Sequence, residues 1–208
     1  MKNTRYKNGL TLVELLVAMV VTSIVMTAVA TLAFAVSSAN KATDDTSRKQ
    51  AQIRFATLKI SDLIRHSRLV CYADGDDIAV WRADDNDDGR INIGELVYIE
   101  SGSANDHLYL GEFRSSNSAA IAISLIGSPA TNWWVAYSSD INYTRVMPQC
   151  SNVQFGFRPA VPPQSKFVSI TFDVLENDII RHYQISAALR GWAGSLLDDS
   201  GNIVSDDD

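Results

Sequence analysis

Glycine and proline are missing from a long stretch near the start of this 208-residue chain. Neither residue occurs between Leu10 and Asp74, although the whole chain has 11 glycines and 5 prolines. Because these residues are the strongest helix breakers, their absence allows one helix to run through the stretch. The stretch also lacks charge between Glu14 and Lys41. The resulting apolar run exceeds the roughly 20 helical residues that cross a membrane.

The chain is also poor in basic residues and in histidine. It has 18 lysines and arginines against 24 acidic residues, a net charge of −6, and 3 histidines. This excess of acid argues against a broad surface for nucleic acid. The histidines lie far apart, and no HExxH spacing, P-loop, G-x-S-x-G elbow or dinucleotide fingerprint occurs. The sequence therefore predicts that the protein is not an enzyme.

The apolar run begins with a specific arrangement of residues. A short basic leader, residues 1–9, ends at Gly9 and is followed by Leu10-Thr-Leu-Val-Glu14. Because an ionised side chain in a membrane segment is costly, Glu14 is a candidate functional residue. This register of glycine, apolar run and acid resembles the processing site of type IV prepilins and type II secretion pseudopilins. The competing interpretation is an ordinary signal peptide, which would have a shorter apolar core and no reason to place Glu14.

The resemblance implies a maturation step and a role for the acid. In the family, prepilin peptidase cuts after the glycine, here between Gly9 and Leu10, and N-methylates the new first residue. Leucine at this position departs from the phenylalanine that is common in the family. Glu14 becomes the fifth mature residue, whose carboxylate is expected to meet the methylated ammonium group of a neighbouring subunit during assembly.

The distribution of charge predicts how the chain sits in the membrane. Lys2, Arg5 and Lys7 precede the apolar run, so the leader is expected in the cytoplasm and the C-terminal domain in the periplasm or outside. The expected location is the inner membrane, with a single span, and then an assembled filament. The implied partners are other pilins or pseudopilins, contacted through the N-terminal helix, together with prepilin peptidase and the inner-membrane assembly platform. No nucleic-acid partner is predicted.

The pattern along the chain predicts an α+β fold with a pilin-like arrangement. Residues 10–36 are expected to form a transmembrane or filament-core helix, and residues 37–70 an amphipathic continuation of it, with a break near 37–40 as an alternative. Residues 71–196 change to a period of two, which is typical of an antiparallel sheet. Residues 197–208 are an acidic tail that is expected to be flexible.

Six strands are predicted within the β domain, and one segment stays ambiguous. Residues 114–147 give no clear pattern, because the apolar run 119–126 fits either a short helix or a buried strand. The predicted strands are 78–82, 95–100, 107–113, 153–158, 167–174 and 179–189.

Two cysteines, Cys71 and Cys150, both lie in the part of the chain that is expected to be exported. An oxidising compartment permits a bridge between them. The sequence favours this disulfide. The alternative is two separate small apolar residues, one at the end of the helix and one after Pro148.

Residues 84–95 match the calcium-loop pattern D-x-[DN]-x-[DN]-G-x5-E at every defined position. In such loops oxygen atoms surround the ion, and a glycine allows the chain to turn sharply. The flanks alternate as strands, so the loop is expected to join two strands rather than two helices. The alternative is a solvated hairpin tip. The predicted ligands are the side chains of Asp84, Asn86, Asp88 and Asn92, the backbone carbonyl of Arg90, and both carboxylate oxygens of Glu95.

These observations predict a structural protein: a minor pilin or pseudopilin of a type IV pilus or type II secretion pseudopilus. The expected cofactor is a weakly bound, structural Ca²⁺, since extracellular modules bind it at about 10⁻⁴–10⁻³ M. The alternative function is a calcium-stabilised adhesion or DNA-uptake subunit at a filament tip. A membrane-anchored enzyme is a third class, for which the sequence offers no catalytic constellation.

Overall fold

The computed structural model describes residues 11–74, 77–102, 104, 106–127, 136–147, 149–198 and 204. Within these residues helix α1, Leu12–His66, precedes eight antiparallel strands, which confirms the predicted α+β class. The strands are β1 (Leu69–Ala73), β2 (Asp77–Trp81), β3 (Leu96–Ser101), β4 (Leu108–Phe113), β5 (Ile141–Met147), β6 (Ser151–Arg158), β7 (Phe167–Glu176) and β8 (Ile179–Ala188).

The chain divides into two compact units, Met1–Arg48 and Lys49–Asp208. In the first unit, every large apolar side chain from Leu12 to Val36 is exposed. This part of α1 is long and apolar enough, by length and composition, to cross a membrane. The helix runs without interruption through residues 37–40, where the sequence left a break open.

The part of α1 in the second unit buries one stripe of its surface. Ile53, Ala56, Ile60 and Ile64 follow helical spacing and are buried, whereas Leu58 is 72 % exposed. The helix ends at His66, where Arg68 N–H donates to Trp81 O at 2.9 Å and the chain begins to pair with β2. The helix therefore ends before residue 70, and Leu69–Ala73 forms a strand that the sequence did not predict.

The strands form two sheets that enclose a shared core. One sheet has the order β1-β2-β3-β4-β5, and the other has the order β6-β7-β8. One face of the five-stranded sheet, the buried stripe of α1 and the inner face of the three-stranded sheet form the first core. Representative members of the first core are Ile60, Val80, Ile99, Phe172 and Ile185.

The opposite face of the five-stranded sheet carries a second core. Because strand side chains alternate between faces, Leu69, Cys71 and Trp81 lie here while Val70 and Val80 belong to the first core. The segment 119–126 covers this face through buried Ile121 and Ile126. It forms a single bridge at Ala120 and a 3₁₀ turn at Ile123–Leu125, so it is neither the helix nor the full strand that the sequence allowed.

The predicted disulfide is not formed in this structure. Cys71 and Cys150 are both free and buried. Cys71 belongs to the second core and Cys150 to the first, so the five-stranded sheet separates the two thiols. Burial raises the pKa of each thiol to about 12, so both stay protonated at neutral pH. This outcome matches the alternative of two small apolar residues, although Cys71 lies in β1 rather than at the helix end.

The remaining strand predictions agree with the structure to within a few residues. The six predicted strands correspond to β2, β3, β4, β6, β7 and β8. Strand β5 comes from the ambiguous segment and pairs with β4 from Phe113 opposite Ile141 to Leu108 opposite Met147. Residues 1–10 and most of the acidic tail lie outside the described residues.

Candidate functional site

The first residues of α1 form a reciprocal cap. Thr11 N–H and Thr11 Oγ1 donate to Glu14 Oε2 at 2.9 Å and 3.0 Å, and Glu14 N–H donates to Thr11 Oγ1 at 3.3 Å. The first N–H groups of a helix have no acceptor within the helix, so the bond from Glu14 N–H to Thr11 Oγ1 satisfies a donor that would otherwise lack one. This arrangement is a capping box, in which Thr11 is the N-cap and Glu14 is the third helical residue.

The capping role of Thr11 is a feature that the sequence analysis missed. Its signal is visible, because Thr11-Leu-Val-Glu14 is the T-x-x-E pattern of a capping box. Glu14 thus has a partner within its own chain in addition to any contact with a neighbour. The processing residues Gly9 and Leu10 lie outside the described part of the chain.

The few hydroxyl groups in the apolar half of α1 are satisfied within the helix. Each donates to a backbone carbonyl three or four residues earlier, at 2.6–3.1 Å. In lipid an unsatisfied polar group is costly, so this pattern suits a helix surrounded by hydrocarbon. The residues concerned are Thr22, Ser23, Thr27 and Thr31.

The second candidate site is the acidic loop, residues 84–95, which joins β2 to β3. Trp81 of β2 pairs with Leu96 of β3, so the loop leaves and re-enters the sheet at adjacent positions. Asp84 accepts from the backbone N–H groups of Asp88 at 3.1 Å and Gly89 at 3.0 Å. Gly89 has a φ of 69°, in the left-handed region where glycine is favoured. These bonds fold the acidic half of the loop into a tight turn.

Asp88 is the centre of a polar cluster in this turn. Its Oδ2 accepts from Asn86 Nδ2 at 2.9 Å and from Asn92 Nδ2 at 3.1 Å, and its Oδ1 accepts from Arg90 N–H at 2.8 Å. Asn92 Nδ2 also lies 3.4 Å from Asn86 Oδ1. The hydrogen bond from Asn92 is the largest of several effects that hold the pKa of Asp88 below its usual value.

Glu95 closes the loop but points into the fold. It is 4 % exposed, and its Oε2 accepts from Trp81 Nε1 at 2.9 Å and from Asn92 N–H at 3.1 Å. Its Oε1 accepts from Asp85 N–H at 2.9 Å. The contact with Trp81 was not predicted, because it depends on the register of β2 against β3.

A third segment fixes the exit of the loop. Ile121 N–H donates to Ile91 O at 2.8 Å, and Ile93 N–H donates to Ala119 O at 3.0 Å. Asn92 and Ala120 form an antiparallel bridge between these bonds. This pairing fixes the backbone around Asn92 on the surface of the second core.

The structure brings together four of the six predicted metal ligands. Hydrogen bonds link Asp84 to Asp88, and Asp88 to Asn86 and Asn92. The Glu95 carboxylate instead accepts from Trp81 Nε1 and from the backbone N–H groups of Asp85 and Asn92. Arg68 Nη1 lies 3.6 Å from Asp84 Oδ2. Among the described residues, no three His, Cys, Asp or Glu side chains converge on a point that could hold a metal ion.

Comparison with known proteins identifies the N-terminal segment. Residues 4–30 match the family described as the prokaryotic N-terminal methylation motif, the prepilin signal of type IV pilins and pseudopilins. The resemblance seen in the sequence is therefore confirmed. The match covers the start of α1, including Thr11 and Glu14, and does not extend to the β domain. No curated protein and no solved structure matches the chain.

Proposed function

We propose that the chain is a minor pilin or pseudopilin, a structural subunit of a type IV pilus or type II secretion pseudopilus. Prepilin peptidase removes residues 1–9 and methylates Leu10, and the mature subunit is assembled through α1. The observation that carries this proposal is the methylation motif at residues 4–30. The exposed apolar surface of α1 supports it, because such a surface is stable in lipid or against other helices of the same kind.

The same proposal places the chain in the inner membrane before assembly. The basic leader stays in the cytoplasm, and Lys49–Asp208 lies in the periplasm, in agreement with the positive-inside rule. The partners are other pilin-type subunits, the peptidase and the membrane platform that extracts subunits. The role is structural, as the motif is typical of filament subunits.

Within this function Glu14 acts as an assembly contact. Its carboxylate pairs with the methylated ammonium group of Leu10 in a neighbouring subunit, which offsets the cost of a charge among apolar helices. The capping box offers a competing role, because Glu14 also satisfies the N–H of Thr11. The two roles differ in what they require, since capping needs a hydrogen-bond acceptor and assembly needs a negative charge.

Substitutions at Glu14 and Thr11 separate these roles. Glutamine can replace glutamate in a capping box, so Glu14→Gln keeps the cap and removes the charge. Thr11→Val removes the capping hydroxyl and keeps the charge. We expect Glu14→Gln and Glu14→Ala to reduce incorporation into sheared filaments by about tenfold or more, and Thr11→Val to have a much smaller effect. The measurement is the ratio of the chain in the filament fraction to the chain in the membrane, by immunoblotting.

The membrane level of each variant is the internal control, because capping and assembly variants should be exported equally. Normal incorporation of Glu14→Gln together with a loss in Thr11→Val would contradict the assembly role and assign Glu14 to helix capping alone. If the wild-type chain is present in the membrane but is never found in the filament fraction, the proposed function itself is contradicted.

A further inference from the structure

The acidic loop contains a buried oxygen atom that the fold leaves without a partner. Asn92 is 2 % exposed, and its Oδ1 accepts no hydrogen bond from the residues that the structure describes. Its carboxamide is aimed into the loop, where Nδ2 contacts Asp88 Oδ2 and Asn86 Oδ1. Buried polar atoms are nearly always paired, because a missing bond costs free energy. In this orientation Nδ2 faces Asp88 and Oδ1 is left unpaired, which indicates that the carboxamide turns its oxygen into the loop when a ligand is present.

The carboxylates around Asn92 also have oxygen lone pairs that accept no hydrogen bond from the described residues. A carboxylate oxygen carries two lone pairs. Within the described residues, Asp84 Oδ1, Asp88 Oδ1 and Glu95 Oε1 each accept a single N–H, from Asp88, Arg90 and Asp85 respectively. The side chain of Asp84 is 4 % exposed, and Glu95 as a whole residue is 4 % exposed. Arg68 Nη1 lies 3.6 Å from Asp84 Oδ2, which leaves Oδ1 with its single N–H donor. Buried carboxylates are typically paired with a cation or coordinate a metal.

We propose that residues 84–95 bind one Ca²⁺ ion through the side-chain oxygens of Asp84, Asn86, Asp88 and Asn92, with Glu95 Oε1 and the Arg90 carbonyl completing the shell. The two amide groups now donate N–H to Asp88 and so occupy the place of a cation. Rotation of each carboxamide exchanges its nitrogen for its oxygen. The oxygens then face Asp88, an arrangement that a cation between them stabilises.

The chemistry of the donors selects the metal. All of them are oxygen atoms, and the loop contains neither cysteine nor histidine, which favours a hard cation over zinc or copper. Ca²⁺ accepts six to eight ligands in a flexible geometry, whereas Mg²⁺ requires a near-ideal octahedron. Trp81 and Asn92 N–H already occupy Glu95 Oε2, so Glu95 offers one oxygen rather than the two that the sequence pattern predicts.

A pair of matched substitutions tests the site in the full chain, solubilised in detergent. Asp88→Asn removes a ligand charge, and Asp87→Asn removes a charge of the same loop that is not a ligand. Both positions are exposed, and Asp87 has a φ of 55°, which asparagine tolerates well. We expect about 10 mM Ca²⁺ to raise the melting temperature of the wild-type chain by roughly 3–10 °C. Asp88→Asn should weaken binding by about 10–100-fold, and Asp87→Asn should leave it nearly unchanged.

Binding is measured directly with Tb³⁺, because a nearby tryptophan sensitises the luminescence of the bound ion. The Tb³⁺ is then displaced by adding Ca²⁺ or Mg²⁺. The proposed site predicts that Ca²⁺ displaces Tb³⁺ at a lower concentration than Mg²⁺ does. This displacement should be lost in Asp88→Asn and kept in Asp87→Asn. An unchanged wild-type melting temperature up to about 10 mM Ca²⁺ overturns the proposal. Equal weakening by both substitutions also overturns it, since that result reports the acidity of the loop and not a coordinating set. None of these outcomes depends on filament assembly.

Discussion

We expect Glu95→Ala to lower the free energy of unfolding by about 3–5 kcal/mol, one of the largest effects of any single substitution in this chain. The Glu95 carboxylate is buried and accepts hydrogen bonds from Trp81 Nε1, Asp85 N–H and Asn92 N–H. Alanine would leave three donors without an acceptor and would open a cavity beside Trp81. The measurement is equilibrium unfolding in urea, followed by tryptophan fluorescence, since all four tryptophans lie in the second unit.

Two controls isolate the hydrogen bonds of Glu95. The titrations are run in excess EDTA, so that the loss does not include any contribution from a bound cation. Glu112→Ala removes a half-buried carboxylate from the neighbouring strand β4 and should cost less than about 1 kcal/mol. Glu95→Gln should fall between the two, because it keeps one acceptor oxygen and turns an NH₂ group toward a donor. A Glu95→Ala variant as stable as Glu112→Ala would show that the carboxylate does not hold β2, β3 and the loop together.

The second large effect is expected on α1. Ile60 is fully buried in the first core, so Ile60→Ala should lower the free energy of unfolding by about 2–5 kcal/mol through lost burial and the cavity left behind. Leu58 lies on the same helix and is 72 % exposed, so Leu58→Ala should change it by about 0.5 kcal/mol or less. The pair removes side chains of equal size from opposite sides of one helix.

The same urea titrations measure both variants, and far-ultraviolet circular dichroism checks that the helix remains formed. Equal losses for Ile60→Ala and Leu58→Ala would mean that this part of α1 is not docked on the sheets by its Ile60 face. A greater loss for Leu58→Ala would mean that the buried stripe lies on the other side of the helix.

The helix, with its apolar first half and amphipathic second half, could be predicted from local sequence because these features depend on nearby residues. An unbroken run without glycine or proline predicted the helix, and the amphipathic pattern of residues 37–70 corresponds to the buried stripe that contains Ile53, Ile60 and Ile64. The end of the helix could not be predicted in the same way. No breaker follows His66, and the chain turns into β1 because Leu69–Ala73 pairs with β2, a contact distant in sequence.

The β domain shows a similar division between local and distant causes. Alternating residues predicted most of the described strands, but alternation does not say which strands share a sheet. Strand β5 stayed ambiguous because its buried residues, Val146 and Met147, lie only at its end, while Tyr143 is exposed. The predicted disulfide, which is not formed in this structure, has the same explanation: the presence of two cysteines in a sequence does not show that a sheet lies between them.

At the candidate sites, sequence pattern located the residues but not all of their partners. The motif placed Asp84, Asn86, Asp88 and Asn92 in one cluster, as the structure shows. It assigned both oxygens of Glu95 to the ion, whereas Trp81 Nε1 donates to one of them. That contact arises only when β2 and β3 pair in register, so a loop pattern alone cannot contain it.

The mass of the N-terminal peptide is the most direct test of the central claim that this chain is a pilin-type subunit. The protein is purified from the membranes of its own host, digested, and examined by mass spectrometry. The proposal predicts a peptide that begins at Leu10 and carries one N-methyl group, and a Gly9→Ala chain should keep residues 1–9. A wild-type chain that retains residues 1–9, or that is cut at another position and unmethylated, would contradict the claim.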